Sequence, residues 1–118
     1  MPRALAVAGH AEDLGIVPEV TALLLGNVAL YHHKRAEFSK AKKLYEKALA
    51  IEENTFGPDH SNVAIRVNNF GLVLQAMGDL DGAKMHFERA LEIFRDKLGE
   101  DHPSTKTVKG NLEEVQHR

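Results

Sequence analysis

Histidine, asparagine and glutamate supply the side chains of this 118-residue chain that could carry chemistry. Seven histidines raise the question of a metal site, because imidazole is a common metal ligand. His32 and His33 are adjacent, so on a helix their side chains diverge by about 100°. No two histidines stand three or four residues apart, and no HExxH motif occurs. The sequence therefore predicts no metal site and no cofactor.

A catalytic site would need a nucleophile beside a base, a spaced pair of carboxylates or a glycine-rich phosphate loop. The chain has no cysteine and no GxSxG, GxGxxG or Walker motif. The acidic pairs Glu52–Glu53 and Glu113–Glu114 are adjacent in sequence, which is typical of solvated helix faces. We therefore expect no catalytic residues and no enzyme activity.

Composition and charge limit the class of protein and its partners. Hydrophobic residues make up 43% and charged residues 27% of the chain, as in a soluble globular domain. The net charge of -2 lacks the basic excess of a nucleic-acid binder. No apolar run reaches the roughly 20 residues of a membrane span, and the N-terminus is a poor signal peptide. We expect a cytoplasmic protein with neither nucleic acid nor membrane as partner.

Asparagines recur at a fixed interval, and they belong to a longer repeat. Asn27, Asn69 and Asn111 are spaced 42 residues apart. The same gapless offset gives a series of further identities: Ala22/Ala64, Leu30/Leu72, Ala41/Ala83, Ala48/Ala90, Gly57/Gly99 and His60/His102. The chain thus contains two full units, preceded by residues that echo the end of a unit and followed by the start of another.

Each unit has the pattern of two helices. Apolar residues at helical spacing predict one buried face per helix, such as Ala22, Leu25, Val28 and Ala29 in the first. Gly57 and Gly99 indicate turns between units, and we expect the following Asp59 and Asp101 to cap the next helices. Small residues predict close helix approach at equivalent positions of the two units: Ala29, Ala41 and Ala48, then Gly71, Ala83 and Ala90.

At these small and aromatic positions the pattern resembles the tetratricopeptide repeat. The 42-residue period and the connector Leu98-Gly-Glu-Asp-His-Pro103 are similar to the kinesin light chain type of repeat. The resemblance covers residues 14–118 and implies an all-α fold, in which antiparallel helix pairs stack as a right-handed superhelix of about 2.5 repeats. It implies a single domain over 1–118, with residues 1–16 a remnant or capping helix, 17–61 and 62–103 two repeats, and 104–118 a capping helix.

The resemblance also implies a function, because the first helices of such repeats line a concave surface that binds a peptide or protein segment. An asparagine amide on that surface can both donate to and accept from a peptide backbone. The Lys–Asn pair by which some relatives hold a C-terminal carboxylate is replaced here by Gly26/Leu30 and Asn68/Leu72, which favours an internal segment. The residues expected to bind are Asn27, Leu30, His33, Lys34, Asn68, Asn69, Leu72, Gln75 and Asn111.

Two alternatives remain open at this stage. The module could be a structural scaffold that associates with itself end to end, because a repeat needs a neighbour to complete its core. It could also be a piece of a larger regulatory protein of the same repeat type. The expected partner is therefore a protein or peptide, with a second copy of the chain as one of the possibilities.

Overall fold

The computed structural model describes residues 17–118, and in that range the chain forms α-helices and no strand. The prediction of an all-α fold is confirmed. Residues 1–16, for which a remnant or capping helix was expected, lie outside the described residues. The helices are α1 (Pro18–Lys34), α2 (Phe38–Phe56), α3 (Ser61–Ala76), α4 (Leu80–Leu98) and α5 (Pro103–Gln116).

The helices pack as consecutive antiparallel pairs. Short turns join α1 to α2 and α3 to α4, and each of these pairs packs along its length. Neighbouring pairs also touch, with α2 against α3 and α4 against α5. Helix α3 therefore has a helix on each side, and the whole is a helical repeat solenoid.

Small residues let the paired helices approach each other, as the sequence predicts. A Cβ atom on Gly71 would lie 2.7 Å from Cε1 of Phe87, so a larger residue in α3 would push α4 away. The aromatic residues Tyr45 and Phe87 are fully buried beside these positions. The predicted small residues are all buried: Ala29, Ala41, Ala48, Gly71, Ala83 and Ala90.

The two connectors between units adopt the same conformation. Gly57 and Gly99 end α2 and α4 with φ of +91°, a value that favours glycine. The next helices are capped by His60 and His102, whose Nδ1 atoms each accept a hydrogen bond of 3.0 Å from a backbone N–H two residues on. The expectation that Asp59 and Asp101 supply the caps is wrong, because each helix starts one residue after the histidine.

The first residues of α1, α3 and α5 show where each first helix begins. Pro18 and Pro103 occupy the first turns of α1 and α5, where a missing N–H costs nothing. Helices α3 and α5 start at residues 61 and 103, one residue before the predicted starts of their units. On α5, Lys109 and Glu113 are exposed.

Candidate functional site

The residues that we expect to bind a partner lie on α1, α3 and α5, and we call them the first-helix face. On α1, Asn27, Leu30 and Lys34 are exposed, and Leu30 presents 42% of its surface. His33 is half-buried. The remaining members of the face are half-buried as well: Asn68, Asn69, Leu72, Gln75 and Asn111.

Two amides of the first-helix face bind each other across neighbouring helices. The Nδ2 atom of Asn111 on α5 donates a 3.0 Å hydrogen bond to Oδ1 of Asn68 on α3. This bond links the second full repeat to the helix that follows it.

His33 and Lys34 end the face on α1 with different chemistry. The His33 ring packs edge-on against Phe38, with 5.6 Å between ring centroids. Burial lowers the pKa of His33 below its ordinary value, which favours the neutral imidazole at pH 7. Lys34 is exposed and supplies the positive charge at this end.

Two cavities open beside the first-helix face, one at each junction between first helices. The first, of about 290 Å³, lies between α1 and α3 and is bordered by Leu23, Ile65 and the end of α2. The second, of about 260 Å³, lies between α3 and α5 and is bordered by Ile65, Asn68 and Phe94. We call them the N-terminal pocket and the C-terminal pocket.

The two pockets are equivalent in the repeat but differ in chemistry. Leu23 lines the N-terminal pocket, and Ile65, which is 42 residues further along the chain, lines the C-terminal pocket at the equivalent position. At the same offset, two charged residues of the N-terminal pocket correspond to apolar residues of the C-terminal pocket: Glu52/Phe94 and Arg66/Val108. One junction between repeats is thus built on an ion pair and the next on an apolar contact.

Glu52 and Arg66 form this ion pair with 2.8 Å between Oε1 and Nε, and only 7% and 11% of their side chains are exposed. The guanidinium lies against α1 at Gly26, where a Cβ atom would come within 2.7 Å of Arg66 Cζ. Burial raises the pKa of Glu52, and the neighbouring Arg66 opposes that shift. The pair therefore joins α1, α2 and α3.

The interpretation of Glu52–Glu53 as a solvated pair is wrong for Glu52, which is buried. Glu53 is partly exposed and accepts a 2.7 Å hydrogen bond from Arg89 of α4. The signal that could have found the buried pair is the repeat itself. At a 42-residue offset, Glu52 stands opposite Phe94 and Arg66 opposite Val108, so both charges occupy core positions.

A second apolar surface lies on the opposite side of α1 from α2. Five large apolar side chains there are between 44% and 55% exposed: Val17, Val20, Leu24, Val28 and Tyr31. We call this set the outer face of α1. Val28 was expected in the core but is 46% exposed. Its repeat equivalent Phe70 is buried in α3, which packs along a helix on each side, whereas among the described helices α1 packs extensively only against α2.

Within residues 17–118, no three histidine, aspartate or glutamate side chains come together in a way that could hold a metal ion. No described helix combines the length and apolarity needed to cross a bilayer.

The described helices form a helical repeat solenoid with two cavities beside its first helices. Residues 21–62 and residues 64–118 match two models of the tetratricopeptide repeat. The chain therefore belongs to the tetratricopeptide repeat family. Its assignment to the kinesin light chain type stays an interpretation of the period and the connector.

A solved structure confirms the fold at low sequence identity. The crystal structure of BtubC (BKLC) from P. vanneervenii superposes with a TM-score of 0.80 and is 22% identical in sequence. The match covers 86% of this chain and 40% of BtubC, so the chain spans less than half the length of that protein. A search of curated proteins found no match.

Proposed function

We propose that the chain binds an extended segment of a peptide or protein along the first-helix face. The observation that carries this proposal is the pair of pockets, which lie at equivalent junctions of the repeat beside one row of apolar and amide side chains. Ile65 borders both pockets and lies four residues from Asn69, on the same side of α3. Tetratricopeptide repeats mediate protein–protein interactions, in keeping with this assignment.

The first-helix face offers two kinds of contact to an extended segment. Leu30 and Leu72 provide apolar area at repeat-equivalent positions. Asn27 and Asn69 provide amides that can bond the backbone of the segment and fix its register. Because no Lys–Asn pair is present to hold a terminal carboxylate, the segment is an internal one.

The substitution pair Asn69→Ala with Leu72→Glu tests this proposal. The probe is a library of synthetic peptides of roughly 12 residues with blocked ends, and binding is measured by fluorescence anisotropy. We expect the double variant to bind its best peptide at least about tenfold more weakly, since it loses an amide contact and places a charge on the apolar row.

Met85→Glu is the matched control, because Met85 on α4 is 67% exposed and lies away from the first-helix face. This variant keeps wild-type affinity under the proposal. Equal binding by wild type and the Asn69→Ala, Leu72→Glu variant would contradict the proposal.

Self-association is a second candidate function, favoured by the outer face of α1. A second copy could cover that face as an antiparallel α1–α1 pair. The association would then be symmetric about a twofold axis.

Sedimentation equilibrium over a wide concentration range tests self-association. A dimer is expected for the wild type, and Leu24→Glu on the outer face converts it to a monomer, whereas Met85→Glu leaves the dimer intact. A wild-type monomer at high micromolar concentration would remove this candidate.

The proposal assigns no catalytic step, cofactor, metal ion or nucleic acid to the chain. It places the interaction in the cytoplasm, in keeping with the lack of cysteine in the sequence. A partner protein supplies the bound segment, and the repeat supplies a rigid surface.

A further inference from the structure

We propose that a groove between α4 and α5 is the docking site of a partner helix that carries apolar residues flanked by lysine or arginine. The groove holds a cavity of about 830 Å³. We call it the α4–α5 groove, and its lining consists of Glu88, Leu91, Glu92, Arg95, Asp96 and Leu112. None of these residues belongs to the first-helix face, so the inference goes beyond the proposed function and does not depend on it.

The equivalent groove one repeat earlier, between α2 and α3, is covered by a helix. At the 42-residue offset, Leu112 corresponds to Phe70. The ring of His86 on α4 stacks on Phe70, with 4.7 Å between ring centroids. Arg89 of α4 donates a 2.7 Å hydrogen bond to Glu53 of α2. The repeat itself therefore shows that a helix fits such a groove, and that it brings a ring to the floor and a cation to a carboxylate.

The floor of the α4–α5 groove is apolar. Leu91 and Leu112 form it, and we call these two residues the leucine floor. Leu112 is half-buried, whereas its equivalent Phe70, which His86 covers, is only 7% exposed. Among the described helices, α5 packs extensively only against α4. The leucine floor thus offers apolar area that a further helix can bury.

The surface of α5 determines how closely that helix approaches. Lys106 and Glu113 stand where Ala64 and Gly71 let α4 approach α3. At Gly71 even a Cβ atom would lie 2.7 Å from the ring of Phe87. A helix in the α4–α5 groove therefore lies further from α5 than α4 lies from α3, and it rests mainly on α4 and the leucine floor.

The charge of the α4–α5 groove selects a basic partner. Glu88, Glu92 and Asp96 are exposed and four residues apart, so they form one acidic row along α4. The equivalent positions one repeat earlier hold a single acid: Glu46, Ala50 and Asn54. Arg95 also lines the groove, but it forms an ion pair with Glu100. Lysine or arginine side chains of the docking helix complement the acidic row.

Both kinds of contact are needed for affinity. Exposed ion pairs contribute little each and are screened by salt, so the acidic row chiefly sets selectivity and orientation. The leucine floor supplies the apolar burial that holds the helix in place. Binding should therefore depend both on the cations of the partner and on its apolar residues.

A set of synthetic helical peptides of about 18 residues tests the proposal. In each peptide, two leucines four residues apart are flanked by four lysines, whose positions vary over the set. Fluorescence anisotropy measures their binding to the wild type. We expect the triple variant Glu88→Gln, Glu92→Gln, Asp96→Asn to bind the best peptide at least about tenfold more weakly and with a smaller salt dependence.

The matched control variant is Glu19→Gln, Glu46→Gln, Asp59→Asn, which removes the same number of exposed carboxylates from the first repeat. It keeps wild-type affinity. A control peptide with glutamine in place of both leucines binds at least about tenfold more weakly than its parent. The proposal is overturned if no peptide of the set binds, if the control variant binds as weakly as the triple variant, or if the glutamine peptide binds as well as its parent.

Two further measurements identify the place and the occupant. Backbone amide shifts in an NMR titration with the best peptide are expected to be largest around Leu91 and Leu112, and shifts confined to the first-helix face would overturn the proposal. Sedimentation equilibrium tests a second copy as the occupant. A wild-type dimer that the triple variant converts to a monomer would overturn the assignment to a partner helix, whereas an equal mass of wild type and triple variant supports it.

Discussion

At the scale of single residues, Glu52 and Arg66 show the cost of placing a charged pair inside a small repeat protein. Each group loses hydration, and their mutual attraction at 2.8 Å offsets that loss only in part. Gly26 leaves the room that the guanidinium needs on α1. The intact pair therefore adds little net stability, whereas loss of one partner alone is costly.

Arg66→Met is expected to lower the free energy of unfolding by about 3 kcal/mol, because it leaves the Glu52 carboxylate buried without its partner. The double variant Glu52→Phe, Arg66→Val is expected to stay within about 1 kcal/mol of the wild type or to exceed it. Urea denaturation measures both values. Arg118→Met, which breaks an exposed ion pair with Glu114, is the control and changes little. Equal stability of Arg66→Met and wild type would contradict this account.

The stability loss of Arg66→Met should depend on pH. Burial raises the pKa of Glu52 above its unfolded value, so the folded state disfavours its ionised form. Stability linked to this carboxyl is fully present below the unfolded pKa and is lost as pH rises through the folded pKa. The deficit of Arg66→Met therefore shrinks between about pH 7 and pH 4, measured as the difference in Tm from wild type. A deficit that is constant over this range would contradict burial of the carboxylate as its cause.

The sequence predicted the positions of small residues at helix contacts correctly, but it did not predict the burial of a charged residue. Ala41 and Ala83 were predicted at the helix contacts, because only a small residue permits the approach at both positions of the repeat. Glu52 was assigned to solvent, because periodicity alone treats a glutamate as exposed. Its burial depends on Arg66, which lies on another helix and is paired with it only in the fold.

At the scale of elements, the helices follow from spacing but their starts do not. Gly57 and Gly99 predicted the connectors correctly, since both lie in the turns between units with positive φ. The caps were assigned to Asp59 and Asp101, because aspartate is a common N-cap and histidine is not. His60 and His102 supply the caps instead.

His60→Ala and His102→Ala are each expected to lower the free energy of unfolding by about 1 kcal/mol, because each removes the Nδ1 atom that accepts a hydrogen bond from a helical N–H. His60→Asn keeps a cap while removing the ring that stacks on Phe56 at 4.5 Å, so it separates capping from stacking. Thermal unfolding followed by circular dichroism measures each change. His117→Ala, at the end of α5, is the control. The capping assignment fails if His60→Ala and His60→Asn lose the same stability.

At the scale of the whole molecule, the solenoid has two unlike ends in its described part. The last helix, α5, exposes charged residues, which suits a surface in water. The outer face of α1 exposes five large apolar side chains.

The all-α repeat architecture could be predicted from the 42-residue period alone. The two pockets could not, because the lining of each comes from three helices and depends on how those helices pack.

The central claim is that a partner segment lies on the first-helix face, and NMR mapping tests it most directly. Uniformly ¹⁵N-labelled protein is titrated with the tightest peptide of the library, and backbone amide shifts are followed. The account predicts that the largest shifts lie on α1 and α3 around Leu30, Asn69 and Leu72, with the exposed surface of α4 around Met85 unchanged. Shifts confined to the outer face of α1, at Leu24, Val28 and Tyr31, would contradict it.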